Sequence, residues 1–484
     1  MFLSCQENIE YFRKRLNDNI DVLSKVLNKG NKSIAIIYIK SIINDQLLTD
    51  MILLPLTKNI NEISVDYIKK NIITTASIEK IENSETADDE IIAGMLAGKV
   101  ALFVDGEDSC ILIDIEEVPI RMPTEPPTSA VLYGPRVGFT ENAKKNISML
   151  RKRLPTDKLV LKEFEIGKYT KTMVVLCYLK DIIKPEIVKD ISKKLQNINI
   201  DGVIDTHYIL SFLQKGQTSF FKQAGIAEKP DIVSAKMLEG RAAIIVEGSP
   251  VVLTIPFMIF EDIQNSNDYY TNPIYTSFIR IIRIMGILAA VISPGLYLSF
   301  RLFHHNILPL RFLITISNST EGLPFTPFIE LIFILILFQI LYEVSLRLPR
   351  YLGLATSIVG ALILGQTGVN AGLISPPGVI IIAMSIISIY IVPDETAQLT
   401  ILRAIFLIIG GTIGILGIIG GMIYIINELA TMQNYGTPYL TPYAPRTVKD
   451  LKDGVFMQPI YKMTTRPKSL IDKNEVKIKN ERND

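Results

Sequence analysis

The chain has 484 residues, 48% of them hydrophobic and 20% charged, with a formal net charge of +1. That length exceeds one ordinary core and predicts two or three structural units. The near-zero net charge excludes a global field for nucleic acid or for acidic partners. Charge and apolar content separate along the chain, because residues 1–272 carry Lys, Glu and Asp every few positions while 278–427 hold long uncharged stretches. A soluble half followed by a membrane half is the expected organisation.

The N-terminal stretch MFLSCQENIEYFRKR becomes charged within ten residues and lacks a signal-peptide core, which places 1–272 on the cytoplasmic side. Cys5, Cys110 and Cys177 lie far apart without metal-ligand spacing and read as reduced thiols. Apolar, β-branched runs such as Ser33–Tyr38 and Lys99–Val104 predict buried strands. Helical stretches are expected at Asp45–Leu56 and at Glu141–Arg153, where Ile147 and Leu150 fall on one side and bases on the others. The alternation implies an α/β region.

Self-comparison shows a duplication. Gly98-Lys-Val-Ala-Leu-Phe-Val-Asp-Gly106 recurs as Gly240-Arg-Ala-Ala-Ile-Ile-Val-Glu-Gly248, and Tyr38-Ile-Lys-Ser-Ile-Ile43 as Tyr178-Leu-Lys-Asp-Ile-Ile183, each roughly 140 residues later. Two tandem subdomains, 1–120 and 136–272, are therefore expected, with a linker at 121–135 inside the proline-rich stretch Pro119 to Pro135. Asp105-Gly106 and Glu247-Gly248 fit hairpin turns that need positive φ at glycine, with a phosphate or metal site as the alternative. The chain contains no GxxxxGK[ST], GxGxxG after a strand, HExxH or GxSxG, which disfavours an enzyme and implies no cofactor.

From residue 273 to 430 the expectation is a polytopic α-helical membrane domain. A bilayer core needs about 20 apolar residues per helix. Ile284–Phe300, Phe328–Leu346, Leu352–Val369, Pro377–Val392 and Leu402–Ile426 are the candidate segments. Arg280 and Arg283 precede the first and are placed to snorkel to the cytoplasmic interface. The basic tail, 431–484, belongs on the same side as the N-terminal region, which five crossings forbid. Either the weaker stretch Leu308–Ser317 also crosses or one segment is re-entrant, Leu352–Val369 with its Gly365, Gly368 and Gly372 being the best candidate.

Gly410, Gly411, Gly414, Gly417, Gly420 and Gly421 follow near-helical spacing, which allows close packing within or between subunits, with pore lining as the alternative. Charges in this region are costly and point to partners or water. Glu330 and Glu343 bracket one segment, roughly 20 Å apart in a helix. Glu343 precedes Arg347 by four residues, the favourable order for a helical ion pair. Glu330 follows Pro324-Phe-Thr-Pro327 without a basic neighbour in sequence, so it is a candidate for a cavity or ion path, or else a solvated helix start. His304 and His305, with His207 the only other histidine, are expected at the interface and not on a metal.

These motifs together resemble the A-subunit family of bacterial spore germinant receptors, the GerA family, over nearly the whole chain. The resemblance rests on Gly134-Pro-Arg-Val-Gly-Phe-Thr-Glu-Asn142, Asn146-Ile-Ser-Met-Leu-Arg151, Ile200-Asp-Gly-Val-Ile204, Lys229-Pro-Asp231, Leu238-Glu-Gly-Arg241 and Asp268-Tyr-Tyr270. In the second half it rests on Leu323-Pro-Phe-Thr-Pro327 with Glu330, Arg347-Leu-Pro349, Ser357-Ile-Val-Gly-Ala-Leu362, Pro438-Tyr-Leu-Thr-Pro442 and Asp450-Leu-Lys-Asp453. The chain departs from the family at Ala227-Glu-Lys-Pro-Asp231, for Thr-Glu-Arg-Pro-Asp, and at Tyr342-Glu-Val344, where an arginine is missing.

The resemblance implies a multi-pass subunit of the spore inner membrane, working with a transporter-like B subunit that binds the nutrient and a lipoprotein C subunit. It further implies a ring of A subunits, a pentamer, whose membrane segments form a nutrient-gated cation channel. Glu330, Glu343, Pro324, Pro327, Gly365, Gly368, Gly372 and Pro376 are then the pore or gating candidates. Arg280, Arg283, Arg347, Gly410, Gly414, Gly417 and Gly421 are the interfacial or assembly candidates. A secondary transporter, expected to show inverted repeats in the membrane half, and a non-conducting scaffold remain the alternatives.

Overall fold

The structure is a computed structural model that describes residues 1–29, 32–57, 64–69, 77–115, 133–214, 220–349, 360, 362–471 and 476–477. Most of the expected linker at 121–135 and of Leu352–Val369 lies outside the described residues.

The first subdomain opens with α1 (Cys5–Arg15), followed by β1 (Val22–Lys29), β2 (Lys32–Ile39), β3 (Ile78–Glu82), α2 (Ala87–Leu96), β4 (Lys99–Val104) and β5 (Ser109–Asp114). Its sheet has the order β1-β2-β4-β5-β3, antiparallel throughout. Side chains alternate across a strand, so one face carries Ala35, Ile37, Ile39, Ala101 and Phe103 against Phe12 of α1 and Met95 of α2. The other face carries Ile34, Ile36, Tyr38, Leu102 and Val104 against Leu48, Ile52 and Leu56. The helix expected at Asp45–Leu56 is present, but with its middle, Leu48–Leu53, wound as a π-helix.

The second subdomain repeats the plan with α3 (Ala143–Arg153), β6 (Leu159–Ile166), β7 (Thr172–Leu179), α4 (Pro185–Gln196), α5 (Thr206–Leu213), β8 (Gly225–Ala227), α6 (Pro230–Leu238), β9 (Ala242–Val246) and β10 (Val252–Ile255). Sheet order β6-β7-β9-β10-β8 matches the first sheet strand for strand. The acidic-glycine turns are the β4–β5 and β9–β10 hairpins, with Gly106 at φ 84 and Gly248 at φ 87. Their carboxylates have a capping task. Asp105 Oδ1 accepts the N–H of Cys5 at 2.7 Å and Glu247 Oε2 that of Ala143 at 2.9 Å, so each turn closes the N-terminus of its subdomain's first helix.

The two subdomains are fastened by a buried pair. Arg151 donates to Asp21 through Nε at 3.1 Å and Nη2 at 3.0 Å. Beside it, Asn19 bonds both the N–H of Leu161 (2.7 Å) and the carbonyl of Leu159 (2.8 Å), occupying the free edge of β6.

The helical half comprises α7 (Pro273–Leu302), α8 (Leu310–Thr320), α9 (Pro327–Arg347), α10 (Pro376–Ile389), α11 (Thr396–Thr412) and α12 (Ile415–Thr431). Among the described residues two helices have the length and apolarity of a membrane crossing, α7 with mean hydropathy 1.9 and α9 with 2.1. The pair α10 and Pro393–Thr412 reaches that standard jointly but is bent by 111°. Contacts fix the directions. Ser385 of α10 donates to the carbonyl of Ala290 at 2.5 Å, and Gly286 meets Ile391, so α10 runs antiparallel to α7. Ser375 meets Glu330 and Tyr390 meets Tyr342 (centroids 6.0 Å apart), so α9 and α10 run parallel.

Leu402–Ile426, expected as one segment, is divided between two helices, α11 and α12. The chain reverses at Gly414, φ 80, and α12 returns alongside α11, with Gly421 facing Phe406 and Gly417 facing Ile409. A helix cannot continue through positive φ, and glycine adopts it without a steric penalty. The reversal returns the chain to the soluble end, so Leu308–Ser317, found in the 11-residue α8, is not needed to bring both termini to one side.

The C-terminal region is likewise no free basic tail in its described part. β11 (Gln433–Asn434) and β12 (Thr437–Pro438) pair beneath the second subdomain, where Asn434 donates to the carbonyl of Gln223 at 2.6 Å. Leu470 and Ile471 complete that subdomain's core, and Ile471 bridges to Ile183. Their apolar side chains follow a charged stretch, which is why charge counting alone reads the region as solvated.

Candidate functional site

The junction between the soluble and helical halves is where chemistry concentrates. Asn272 caps α7 by accepting the N–H of Ile274 at 2.9 Å, and Pro273 starts the helix. Arg280 and Arg283, three residues apart, share one side of it. Arg280 is fully buried; its Nε donates to Asp268 Oδ2 (2.9 Å) and its Nη1 to Asp453 Oδ1 (3.0 Å), the Asp453 carbonyl (3.1 Å) and the Gly454 carbonyl. Arg283 grips both oxygens of Asp268, each at 2.8 Å, and the carbonyl of Ile263 at 2.7 Å. In place of the expected snorkelling to the cytoplasmic interface the two arginines form a clasp, because Asp268 from the preceding turn and Asp453 from the C-terminal region satisfy these donors inside the protein. Burial raises the Asp453 carboxyl against the opposing pull of Arg280, and Tyr269 donates to it at 2.6 Å.

A second bridge reaches the turn between α10 and α11. Lys222 Nζ lies 3.0 Å from Asp262 Oδ1 and 3.4 Å from Asp394 Oδ2, and 5.1 Å from the centre of the Phe257 ring. Burial works against the lysine's charge, but Asp262 and Asp394 outweigh it and hold its pKa above normal. Next to them Glu395 is pushed up to about 9, first by burial and then by its hydrogen bond with Asp262. Asp262 Oδ2 and Glu395 Oε1 are both buried without a donor among the described residues. Between clasp and bridge opens a cavity of about 430 Å³, lined in part by Asp231, Glu261, Asp262, Tyr270, Arg283 and Asp394, within the size range of small-ligand sites.

At the opposite end of the helical layer stands Glu330, fully buried in the first turn of α9. Its Oε1 accepts the N–H of Ser375 at 2.7 Å, the cap of α10, and its Oε2 lies 3.3 Å from Arg301 Nη1 at the end of α7. Sequence offered no basic partner because Arg301 is 29 residues away. The carboxylate thus staples three helix ends. Gly378 permits the approach, since a Cβ there would stand 2.8 Å from Glu330 Oε1.

The remaining sequence candidates fall in several places. Glu343 and Arg347 form the expected i,i+4 pair at 2.7 Å, exposed on α9. Pro327 and Pro376 occupy first turns, next to the caps Thr326 and Ser375, and Pro324 lies in the turn before α9. A Cβ on Gly368 would press on Ile374, whereas Gly365 and Gly372 have open space around them. Gly410 faces Gly295 of α7 so closely that a Cβ on either would overlap the other helix's backbone. Gly414 makes the reversal, and Gly417 and Gly421 close the α11–α12 hairpin. Sequence reasoning missed Lys222, Asp262, Asp394 and Glu395, which meet only in the fold. It also missed Arg403, the only charged residue between Glu395 and Glu428, although that isolation was visible.

A protein-family model described as Bacillus/Clostridium GerA spore germination protein matches residues 10–469. The chain belongs to the GerA family. Spore germination protein KA of Bacillus subtilis (strain 168) is 30% identical to this GerA-family chain over 479 residues, covering 98% of this chain and 88% of that protein. The membrane protein YfkQ of the same organism is 31% identical over 467 residues, covering 96% and 91%. Among solved structures, the N-terminal domain of the A subunit of the Bacillus megaterium spore germinant receptor GerK3 is similar at 26% identity and a TM-score of 0.40, covering 51% of this chain and 93% of that one. The GerA motifs quoted from sequence take part in the junction: Asp268 and Asp453 hold Arg280, and Arg241 pairs with Glu261 at 3.0 Å.

Proposed function

We propose that this chain is the A-type membrane subunit of a spore germinant receptor, and that it couples movement of its soluble half to a cation path formed between copies of itself. The supporting observation is the buried junction. The second subdomain holds the start of α7 through Asp268 and the α10–α11 turn through Lys222 and Asp262, so a shift of that subdomain pulls on two membrane elements together. The units acting in this coupling are 1–120 and 136–272 in the cytoplasm or spore core, 273–430 in the spore inner membrane, and 431–484 on the core side. A transporter-like B subunit supplies the nutrient signal, a lipoprotein C subunit completes the receptor, and the A subunits form a ring, a pentamer.

The path lies between copies because the inner charges of one chain are occupied: Glu330 is matched by Arg301 and Ser375. Exposed apolar residues such as Ile336, Ile340, Ile419 and Ile423 leave faces of α9 and α12 for lipid or for neighbouring copies. The same neutralised Glu330 favours a second reading, a non-conducting scaffold. Planar-bilayer recording of the purified full-length chain, with and without its partners, separates them. A monovalent-cation current altered by Glu330→Ala or by substitution at Gly365, Gly368 or Gly372 supports conduction. Silence of an assembled oligomer leaves the scaffold.

A further inference from the structure

Arg403, the eighth residue of α11, is 2% exposed, yet among the described residues its Nε and Nη1 meet no hydrogen-bond acceptor and no ion pair involves it. An arginine keeps its charge at any physiological pH, so burial without a partner is among the costliest arrangements a membrane helix can hold. Among the described residues no carboxylate pairs with it. After Leu302 the helical half carries Glu321, Glu330, Glu343, Asp394, Glu395 and Glu428 as its only carboxylates. Glu330 is held by Arg301, Glu343 by Arg347 and Asp394 by Lys222. Positions 350–361 contain no Asp or Glu.

Beside Arg403 the helices α9, α10 and α11 leave a cavity of about 20 Å³. Its polar lining consists of Gln339, Tyr342, Tyr390, Thr396, Thr400 and Arg403, a set rich in donors and free of carboxylates. Side chains of a helix lean toward its N-terminus, which carries the guanidinium toward Tyr390 and Thr396. The volume admits one water-sized species.

We propose that Arg403 and the surrounding hydroxyl and amide donors bind one small monovalent anion of chloride size. The anion supplies the missing counter-charge and ties the parallel pair α9 and α10 to α11, just inside the turn that contacts Lys222. A phospholipid phosphate carries the same charge but exceeds the cavity. The site is independent of whether the assembled chain conducts, since its readout requires no current.

The test uses the full-length chain in phosphatidylcholine nanodiscs, with chloride exchanged for gluconate and bromide as a heavy-atom probe. Thermal stability should rise with chloride and with bromide but not with gluconate. The folded-to-unfolded ratio should grow about elevenfold at ten times the dissociation constant. Arg403→Gln should abolish the chloride dependence and Tyr342→Phe weaken it. Should Arg403→Gln fail to fold, the wild-type protein still decides: bromide-soaked crystals must show anomalous density within hydrogen-bonding reach of Arg403. Equal stability in chloride and gluconate overturns the proposal, as does an unchanged chloride effect in Arg403→Gln. Stabilisation that follows added phosphatidylglycerol instead of chloride overturns it in favour of a lipid headgroup.

Discussion

Arg280 and Asp453 stand 3.0 Å apart although 173 residues separate them, and Asp268 completes the contact from the other side. The first membrane helix therefore begins inside a socket made by both ends of the soluble half. Removing one partner of such a pair leaves the other charge buried and costs about 3–5 kcal/mol. Asp268→Asn and Arg280→Ala should each release the C-terminal region to limited proteolysis around residues 450–457 while the first subdomain stays protected. Unchanged cleavage in both variants would remove the clasp from the account.

Glu330 should behave as a staple. Glu330→Ala strands Arg301 and the N–H of Ser375, so thermal stability in detergent should fall by about 3–5 kcal/mol. Neutralising both partners, Glu330→Gln with Arg301→Met, should recover most of it, and a double-mutant cycle on thermal midpoints measures the coupling. Additive losses would mean that the two side chains act separately.

The close approach of Gly295 and Gly410 leaves no room for a methyl group. Alanine at either position should part α7 from α11 and lower stability by about 1–3 kcal/mol. Gly420→Ala and Gly365→Ala, where space is open, should be neutral or stabilising by up to about 1 kcal/mol where the backbone is helical. Melting curves of the four variants side by side provide the check.

The α10–α11 bridge should loosen with alkali. Glu395 is raised above its ordinary 4.5 to about 9, so the folded state holds a proton that the unfolded chain releases. Its contribution is complete below about pH 4.5 and disappears as pH climbs through about 9, where a new charge faces Asp262 and Asp394 with Lys222 alone to offset them. Hydrogen exchange at residues 390–396 should accelerate across that window. Glu395→Gln should flatten the profile, and a pH response that survives the substitution assigns it elsewhere.

Much of the soluble fold was legible because local signals agreed. The recurrence of Gly98–Gly106 at Gly240–Gly248 announced two tandem subdomains, and the apolar, β-branched runs in β2 and β4 announced buried strands. Glu343 and Arg347 were readable as a pair because four residues on a helix are adjacent in space. Elements were lost where partners are distant: Glu330 waits for Arg301, Arg280 for Asp453, and Lys222 for Asp394. Leu402–Ile426 was misjudged for another reason. Hydropathy averages across a reversal that one glycine makes, and Gly414 differs from Gly417 only in its backbone angle.

Ile471 sits in the same core as Leu159 and Val175, so the entire helical layer is inserted between parts of one soluble body. During synthesis the ribosome must deliver every membrane helix before the last two wedges of that body exist. Completion of the second subdomain therefore reports that the helices ahead of it have already been laid down, and a chain stalled or cut before Leu470 keeps an open seam on its soluble side.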